Sequence, residues 1–307
     1  MNEQLTFDGM GSHEQACHAN PGRFRRQSDH RAPDKQSSGH RAIDSDPAIP
    51  ALSIFTLGRF SLLLDGKPVE FGRKVPRRPL ELLKALVAAG GRDVSVTLLT
   101  NSLWPDVEGD SAQRSFDTTL HRLRKLLGDE RVLVVREGKL SLASDCCWVD
   151  VWRFERLLGQ SQRLLVNDMN GNEYDKLVQL GASLLSLYQG HFLGKEDLTS
   201  WSVSMHERLR SKYIHHLIEI GRYMEKQGHW EQAMNCYRKG MDLDDLVEVF
   251  YQRLMHCCLQ TSRFSEGLAT YRRCQRVLSI SLGLQPEPET ESLYRSLCNT
   301  RQSRQSA

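Results

Sequence analysis

The sequence lacks any apolar segment that could cross a membrane. No window of the 307-residue chain approaches about 18 consecutive apolar side chains, the length that a spanning helix requires. The segment from Met1 to Leu5 contains neither a basic stretch nor the start of an apolar one, so we expect no secretory signal. These absences predict a cytoplasmic protein without membrane contact.

The eight cysteines follow neither the spacing of a disulfide framework nor that of a zinc site. Two pairs are adjacent in sequence, Cys146-Cys147 and Cys257-Cys258, and no Cys-x-x-Cys occurs. A phosphate-binding Gly-x-x-x-x-Gly-Lys-Ser/Thr loop is also absent. No Ser-His-Asp, Cys-His or paired-carboxylate set can be argued from spacing. We therefore expect no enzymatic activity, no cofactor and no metal site.

The chain has no strong excess of either charge. Its 41 Lys and Arg residues against 38 Asp and Glu residues leave a net charge of +3, so any binding to nucleic acid has to use a local basic patch. Residues 1–50 are rich in Ser, His, Arg, Asp and Pro and poor in apolar residues, which predicts a disordered tail. Residues 301–307 are expected to form a second, short tail.

Residues 51–150 are predicted to begin with strands and to continue as three helices. Short strands are expected at residues 52–57, 60–64 and 69–71, with a turn at Asp65-Gly66. The first helix is expected to begin at Pro79 and to end at Gly90-Gly91.

The second helix should follow Ser95, whose side chain can cap it, and the third should run from about Asp110 to Gly128. Residues 132–135 and 140–142 then flank a hairpin turn. A short helix, a turn, a longer basic helix and a β-hairpin together make a winged helix-turn-helix.

The third predicted helix has one apolar face and one basic face. A stripe of period 3.6 holds Phe116, Leu120, Leu123 and Leu127. The opposite arc lacks a carboxylate and holds Ser111, Arg114, Ser115, Thr118, His121, Arg122 and Lys125. Arginine can bridge guanine O6 and N7, threonine can offer its methyl group to thymine, and lysine and serine can contact phosphates. A solvated basic face is the alternative for an isolated helix, whereas the neighbouring short helix and hairpin favour DNA recognition.

Residues 151–300 are predicted to form a tetratricopeptide-like α-solenoid. Residues 228–237 align with residues 262–271 at an offset of 34, the period of that repeat. Gly221 is a small residue that lets paired helices approach, and Trp230 and Tyr237 are expected to fill the space between them. The predicted fold class is therefore mostly α with a small β component, a winged helix-turn-helix followed by a solenoid.

Both predicted domains resemble parts of one known architecture. Residues 52–150 are similar to the OmpR-type winged helix, because Arg114 to Leu127 carry its run of arginine, hydroxyl, apolar residue and Asp, followed by basic-Leu-Arg-Lys. Residues 151–297 resemble the bacterial transcriptional activation domain, on the strength of Tyr188-Gln189-Gly190-His191-Phe192-Leu193, Trp201, Tyr271 and residues 282–288. The combination resembles the antibiotic regulatory protein (SARP) family of transcription activators.

The resemblance implies roles for individual residues. It implies that Thr118, Thr119 and Arg122 reach base edges, that Arg136 in the hairpin enters the minor groove, and that the loop of residues 104–110 faces RNA polymerase. The residues predicted to contact double-stranded DNA are Arg114, Ser115, Thr118, Thr119, His121, Arg122, Lys125, Arg136 and Lys139.

The wing departs from the pattern of the family. Its usual Gly-Tyr-Arg end is here Gly138-Lys139-Leu140, which lacks the aromatic residue and keeps a cation. A salt bridge from Arg136 to Glu137 or Asp129 is the structural alternative to a DNA contact.

A single winged helix contacts only a few base pairs, so we expect the chain to bind paired half-sites as a homo-oligomer on DNA. Residues 52–150 are expected to form a complete small domain that recognises DNA, while the repeats assemble the protein. A second function class stays open, a scaffold whose repeats hold a peptide and whose winged helix binds protein. The basic arc of residues 111–125 favours the DNA-binding hypothesis over the scaffold hypothesis, because a protein-binding helix would expose more apolar residues.

Overall fold

The computed structural model describes residues 50–71, 75–166, 171–194 and 199–305. The tail expected at residues 1–50 lies outside these ranges except for Pro50, and so do residues 306–307. The tail expected from residue 301 is wrong for its first five residues, because the last helix continues to Gln305. Among the described helices, none is long and apolar enough to cross a membrane.

Within the described ranges, seven short strands form two sheets. They are β1 Leu52–Phe55, β2 Ser61–Leu64, β3 Lys67–Pro68, β4 Val94–Ser95, β5 Leu133–Arg136, β6 Lys139–Leu142 and β7 Cys147–Val149. The first sheet has the order β3-β2-β1-β7, in which β1 and β2 are antiparallel and β7 is parallel to β1. The second sheet has the order β4-β6-β5.

The third strand differs from its predicted position at residues 69–71. Asp65 and Gly66 have φ angles of 47° and 76°, which make a tight two-residue turn. That turn pairs Lys67 with Leu64 and Pro68 with Leu63, so the strand occupies the two residues directly after the turn. The apolar residues Val69 and Phe71 predict a strand two residues too late, because the position of the strand is determined by the turn.

Three helices, α1 Arg77–Ala88, α2 Val96–Leu103 and α3 Gly109–Leu127, lie along the chain between β3 and β5, and β4 separates α1 from α2. The first helix begins two residues before Pro79, which lies in its first turn, where a missing N–H costs nothing. Ser95 caps α2 as predicted, because its hydroxyl oxygen accepts a hydrogen bond from the Leu98 N–H. Gly128, with φ 72°, ends α3 as predicted.

The remaining described residues are almost entirely helical. The helices are α4 Asp150–Val166, α5 Gly171–Leu187, α6 Ser200–Lys226, α7 Trp230–Leu243, α8 Glu248–Gln260, α9 Phe264–Leu282 and α10 Pro288–Gln305. The predicted 34-residue repeat coincides with these boundaries, since α7 begins at Trp230 and α9 at Phe264. Even the turn conformation repeats, because Gly228 and Ser262 have φ angles of 75° and 62°.

Packing in the repeats follows the predicted small and large residues. A Cβ atom on Gly221 would lie 2.4 Å from the ring of Tyr237, so α6 and α7 approach this closely only with glycine at that position. The Tyr237 hydroxyl donates a hydrogen bond to the buried carboxylate of Glu225, which also accepts hydrogen bonds from Arg253. One carboxylate thereby connects α6, α7 and α8.

The winged helix and the solenoid meet at a second buried carboxylate. Asp150 is 1% exposed and stands at the start of α4. Its oxygens accept hydrogen bonds of 2.5–2.8 Å from the N–H groups of Thr56, Leu57 and Val151 and from the Thr56 hydroxyl. Burial raises the pKa of Asp150, and these hydrogen bonds offset part of that effect.

The loop after α5 makes a further contact with β1. Leu57 pairs with Phe192 in an isolated β-bridge, and the Leu193 N–H donates to the Thr56 carbonyl at 2.7 Å. A Cβ atom on Gly194 would lie 2.1 Å from the carbonyl oxygen of Gly58, so the two backbones can approach only at glycine.

Helix α4 packs directly on the winged helix. The Trp152 Nε1–H donates to the Gly90 carbonyl at 3.0 Å, and the Arg92 guanidinium lies 4.5 Å from the centre of the Trp152 ring. Val151 and Phe154 are buried in the same hydrophobic cluster as β1. The hydrophobic core of the winged helix, expected to end at residue 150, therefore continues into α4. The winged helix and the solenoid form one packed body.

We predict that Asp150→Ala lowers the free energy of unfolding by about 2–4 kcal/mol, because it leaves the buried N–H groups of Thr56 and Leu57 without an acceptor. Chemical denaturation of the full chain measures this change. As a control, Asp175→Ala on the exposed side of α5 should change the value by less than about 0.5 kcal/mol. A loss below about 1 kcal/mol at Asp150 would contradict the role assigned to this carboxylate.

His216 provides a pH-dependent prediction. This side chain is 1% exposed, its Nδ1 atom has no hydrogen-bond partner among the described residues, and burial lowers its pKa from 6.5 to about 4. The unfolded chain therefore takes up a proton below pH 6.5 that the folded chain does not, so stability falls as the pH decreases from 6.5 towards 4. The expected loss between pH 7 and pH 5 is about 2 kcal/mol.

His216→Leu should remove that part of the pH dependence, as measured by denaturation at both pH values. An identical pH profile for wild type and His216→Leu would contradict the prediction.

Candidate nucleic-acid interface

Helix α3 is fixed in the winged helix by its apolar stripe. Phe116, Leu120, Leu123 and Leu127 are all buried, as predicted, and Ala112 extends the same stripe. Asp110 in the first turn and Lys125 in the last turn complement the helix dipole. The stripe determines which side chains α3 turns away from the core.

The outward face of α3 is basic. Arg114, Thr118, His121, Arg122 and Lys125 are exposed, and among the described residues none of them forms an ion pair. Asp117 on the same helix accepts a hydrogen bond from Gln113 at 3.1 Å. The face thus presents unneutralised cations and a hydroxyl group to the solvent.

Two of the predicted contact residues are not available on this face. Thr119 is 6% exposed, and its hydroxyl donates to the Ser115 carbonyl at 2.7 Å. Ser115 is half-buried and donates to the Ser111 carbonyl at 2.9 Å. The expectation that Thr119 reaches a base edge is therefore corrected, because its side chain packs at the edge of the apolar stripe beside Leu120.

The hairpin of β5 and β6 forms the wing. Glu137 and Gly138, with φ angles of 48° and 69°, make its two-residue turn. Arg136 and Lys139 are exposed and directly opposite each other across that turn. Like charges in this position destabilise a hairpin, and the turn between them also carries the exposed carboxylate of Glu137.

The alternative of an Arg136 salt bridge does not appear in the described part of the chain. Asp129 is instead bound by Arg131 at 2.8 Å, and hydrogen bonds from Arg131 lower the pKa of that carboxyl. The wing is held against α3 by Arg124, whose Nη2 atom donates to the Leu133 carbonyl at 3.1 Å. Arg124 therefore positions the wing, and Arg136 and Lys139 extend from it.

A groove between α1 and α3 adds cations that the sequence did not single out. This α1–α3 groove has a volume of about 640 Å³ and is lined by Val75, Pro76, Arg77, Arg78, Pro79, Arg122, Lys125 and Leu126. Arg122 and Lys125 also belong to the outward face of α3, so the groove continues that face towards α1. The Arg77-Arg78 pair was the signal in the sequence, but only the packing of α1 on α3 connects it with the predicted site.

The loop between α2 and α3 is exposed and acidic. Asp106 and Glu108 are exposed, Val107 is 38% exposed, and the exposed Asp110 follows in the first turn of α3. This loop differs in charge from the outward face of α3, so the two surfaces suit different partners.

Comparison with known proteins bears on both halves of the chain. Residues 149–298 match the family model of the bacterial transcriptional activator domain. The transcriptional regulatory protein EmbR of Mycobacterium bovis and that of Mycobacterium tuberculosis are each 24% identical over 255 residues, which cover 77% of this chain and 61% of EmbR. The chain thus spans about three fifths of the length of these relatives.

A solved structure shows the same fold. Mycobacterium tuberculosis EmbR in complex with a low affinity phosphopeptide superposes with a TM-score of 0.61 at 21% identity, and the match covers 82% of this chain and 66% of that one. The predicted fold class, a winged helix-turn-helix followed by a helical solenoid, is confirmed.

Proposed function

We propose that the chain, whose residues 149–298 match the family model of the bacterial transcriptional activator domain, is a sequence-specific DNA-binding regulator that activates transcription in the cytoplasm. The observation that carries this proposal is the outward face of α3, where Arg114, Arg122 and Lys125 are exposed without a described ion pair. The similarity to EmbR, a transcriptional regulatory protein, supports the same class of function.

In this proposal α3 lies in the major groove of double-stranded DNA. An α-helix fits that groove, and arginine at the middle of the outward face can donate to guanine O6 and N7. Arg122 is assigned this base-reading role, Thr118 offers a methyl group and a hydroxyl to a neighbouring base, and Arg114, His121 and Lys125 contact phosphates or bases at the ends. Thr119 is buried and does not contact DNA, and the hydroxyl of the partly exposed Ser115 keeps an acceptor position for a DNA contact while it donates to the Ser111 carbonyl.

The wing extends the interface to the minor groove. Arg136 and Lys139 are placed together at the hairpin tip, where they can reach the narrow, electronegative minor groove of A·T-rich DNA. The resemblance to the SARP family implies that the loop of residues 104–110 faces RNA polymerase, and its exposed Asp106 and Glu108 do not favour contact with DNA.

The alternative, a scaffold with a protein-binding winged helix, fits the structure less well. A protein-binding helix would be expected to expose apolar side chains, whereas those of α3 are buried in the core except for the partly exposed Leu126. The cations of the outward face favour a polyanion.

We predict that Arg122→Ala costs about 1–3 kcal/mol of specific binding and relaxes the preference at one base position. Lys125→Ala should weaken binding to every sequence and reduce the slope of log K against log salt by about 0.9. Titrations of labelled duplexes, selected and random in sequence, measure both effects.

Arg156→Ala serves as the control, since Arg156 is an exposed arginine on α4 of the solenoid. It should bind both duplexes as wild type does. Equal weakening of selected and random DNA by Arg122→Ala would contradict its base-reading role.

The working DNA site is proposed to be a pair of half-sites bound by a homo-oligomer. The net charge of +3 gives little non-specific affinity, so one winged helix competes poorly against the excess of other genomic sites. Coupling of two protomers raises the effective concentration of the second winged helix without new base contacts. The resemblance to the SARP family favours direct repeats.

We predict that occupancy depends on helical phase. Half-site centres should lie about 10–10.5 bp apart or at a multiple of that distance. Insertion of about 5 bp should abolish cooperative binding by rotating one half-site to the opposite face, and about 10 bp should restore part of it. Footprinting across a spacer series measures this, and a smooth decline without periodicity would rule out the paired-site arrangement.

A further inference from the structure

We propose that the α1–α3 groove binds a phosphate of the DNA backbone and that Arg77, on α1, is its principal ligand. This inference rests on the proposed function, and it extends the interface to a helix outside the helix-turn-helix pair. The residues that carry it are Arg77, Arg122 and Lys125.

The groove concentrates cations that have no internal counter-ion. Four of the residues that line it are Arg77, Arg78, Arg122 and Lys125, and none of the described lining residues is a carboxylate. Of these four cations, only Arg78 forms an ion pair with a described residue, Glu81, at 2.9 Å. Arg78 also donates a hydrogen bond to the Leu103 carbonyl at 3.3 Å. Arg77 is exposed and forms no described ion pair. Three cations around one open groove repel each other unless an anion lies between them.

The position of Arg77 at the start of α1 is a second unfavourable feature, separate from the repulsion among the three cations. The first turn of α1 contains Arg77 and Arg78 and no acidic residue, although the N-terminus of a helix favours negative charge. The N-cap residue, Pro76, provides no side-chain cap either. A bound anion would relieve both unfavourable features at once.

A DNA phosphate fits this groove better than an acidic protein segment does. An α-helix with its side chains is about 10–12 Å across and nearly fills a major groove about 12 Å wide, so a sugar-phosphate backbone runs along each flank of the bound helix. Arg122 and Lys125 lie both on the outward face of α3 and in the groove. If Arg122 contacts the bases in the major groove, one of the two sugar-phosphate backbones runs along the side of α3 on which Arg77 lies.

The test uses the full chain and a labelled duplex of about 30 base pairs of mixed sequence, because a phosphate contact does not depend on base identity. Binding is titrated between about 50 and 200 mM salt. Arg77→Ala should reduce the slope of log K against log salt by about 0.9 and weaken binding roughly eightfold at about 0.1 M salt, as loss of one phosphate contact requires. Arg77→Lys should keep the slope, since a point charge suffices for a phosphate.

Arg156→Ala on α4 is the matched control and should leave slope and affinity unchanged. Arg77 and Arg156 are both exposed, so the circular dichroism spectra of the three variants should match that of wild type. If Arg77→Ala bound with the slope of wild type, or if Arg77→Lys lost as much as Arg77→Ala, the inference would be overturned while the proposed function would stand.

Two further outcomes are distinguishable. If wild type itself showed no salt-dependent binding to the duplex, the proposed function would fail, and this inference with it. If Arg77→Ala bound DNA normally but reduced transcription with purified RNA polymerase at saturating DNA occupancy, the groove would bind an acidic protein segment, and the phosphate assignment would be wrong.

Discussion

The buried carboxylate of Asp150 is the constraint on which the arrangement of the two halves depends. It accepts four hydrogen bonds, three of them from Thr56 and Leu57 at the end of β1, and it stands where β7 changes into α4. A carboxylate at this depth is favourable only while these donors stay in place, because their loss would leave both charge and N–H groups buried without partners. The end of β1 and the start of the solenoid therefore cannot separate cheaply. Trp152 and the contact between Gly58 and Gly194 add two further attachments around this point.

Charge is distributed differently in the two halves of this packed body. In the solenoid, arginines bind carboxylates of neighbouring helices, as in the pairs Arg210–Asp244 and Arg253–Glu225. In the winged helix, Arg122 and Arg136 form no ion pair among the described residues. These two arginines of the repeats thus join helices, whereas Arg114 and Arg122 of α3 and Arg136 of the wing form no ion pair among the described residues, and the position of Arg136 opposite Lys139 costs stability. Such a cost is typical of residues kept for a binding partner.

Local signals in the sequence predicted much of the fold, and long-range contacts account for the rest. Gly128 and Ser95 end and begin helices through their own conformation and hydrogen bonds, so they could be identified without the structure. The two-residue strand Val94–Ser95 and the parallel pairing of β7 with β1 carry no periodicity of their own, because they form only when distant segments meet. The same reason explains why the α1–α3 groove was not predicted. Thr119 was misplaced because a family pattern gives residue types and not the burial of one side chain.

If two protomers bind neighbouring half-sites as proposed, the rigid junction between the winged helix and the solenoid limits how far their spacing on DNA can vary. A flexible linker between a winged helix and its assembly domain would let the second protomer rotate around the duplex, and binding would decline smoothly with distance. Here α4 continues directly from β7 and is packed on the winged helix through Trp152 and Phe154. A contact between two solenoids would therefore fix the rotation of both recognition helices. The proposed dependence on helical phase therefore rests on the packing at Asp150 as much as on the geometry of DNA.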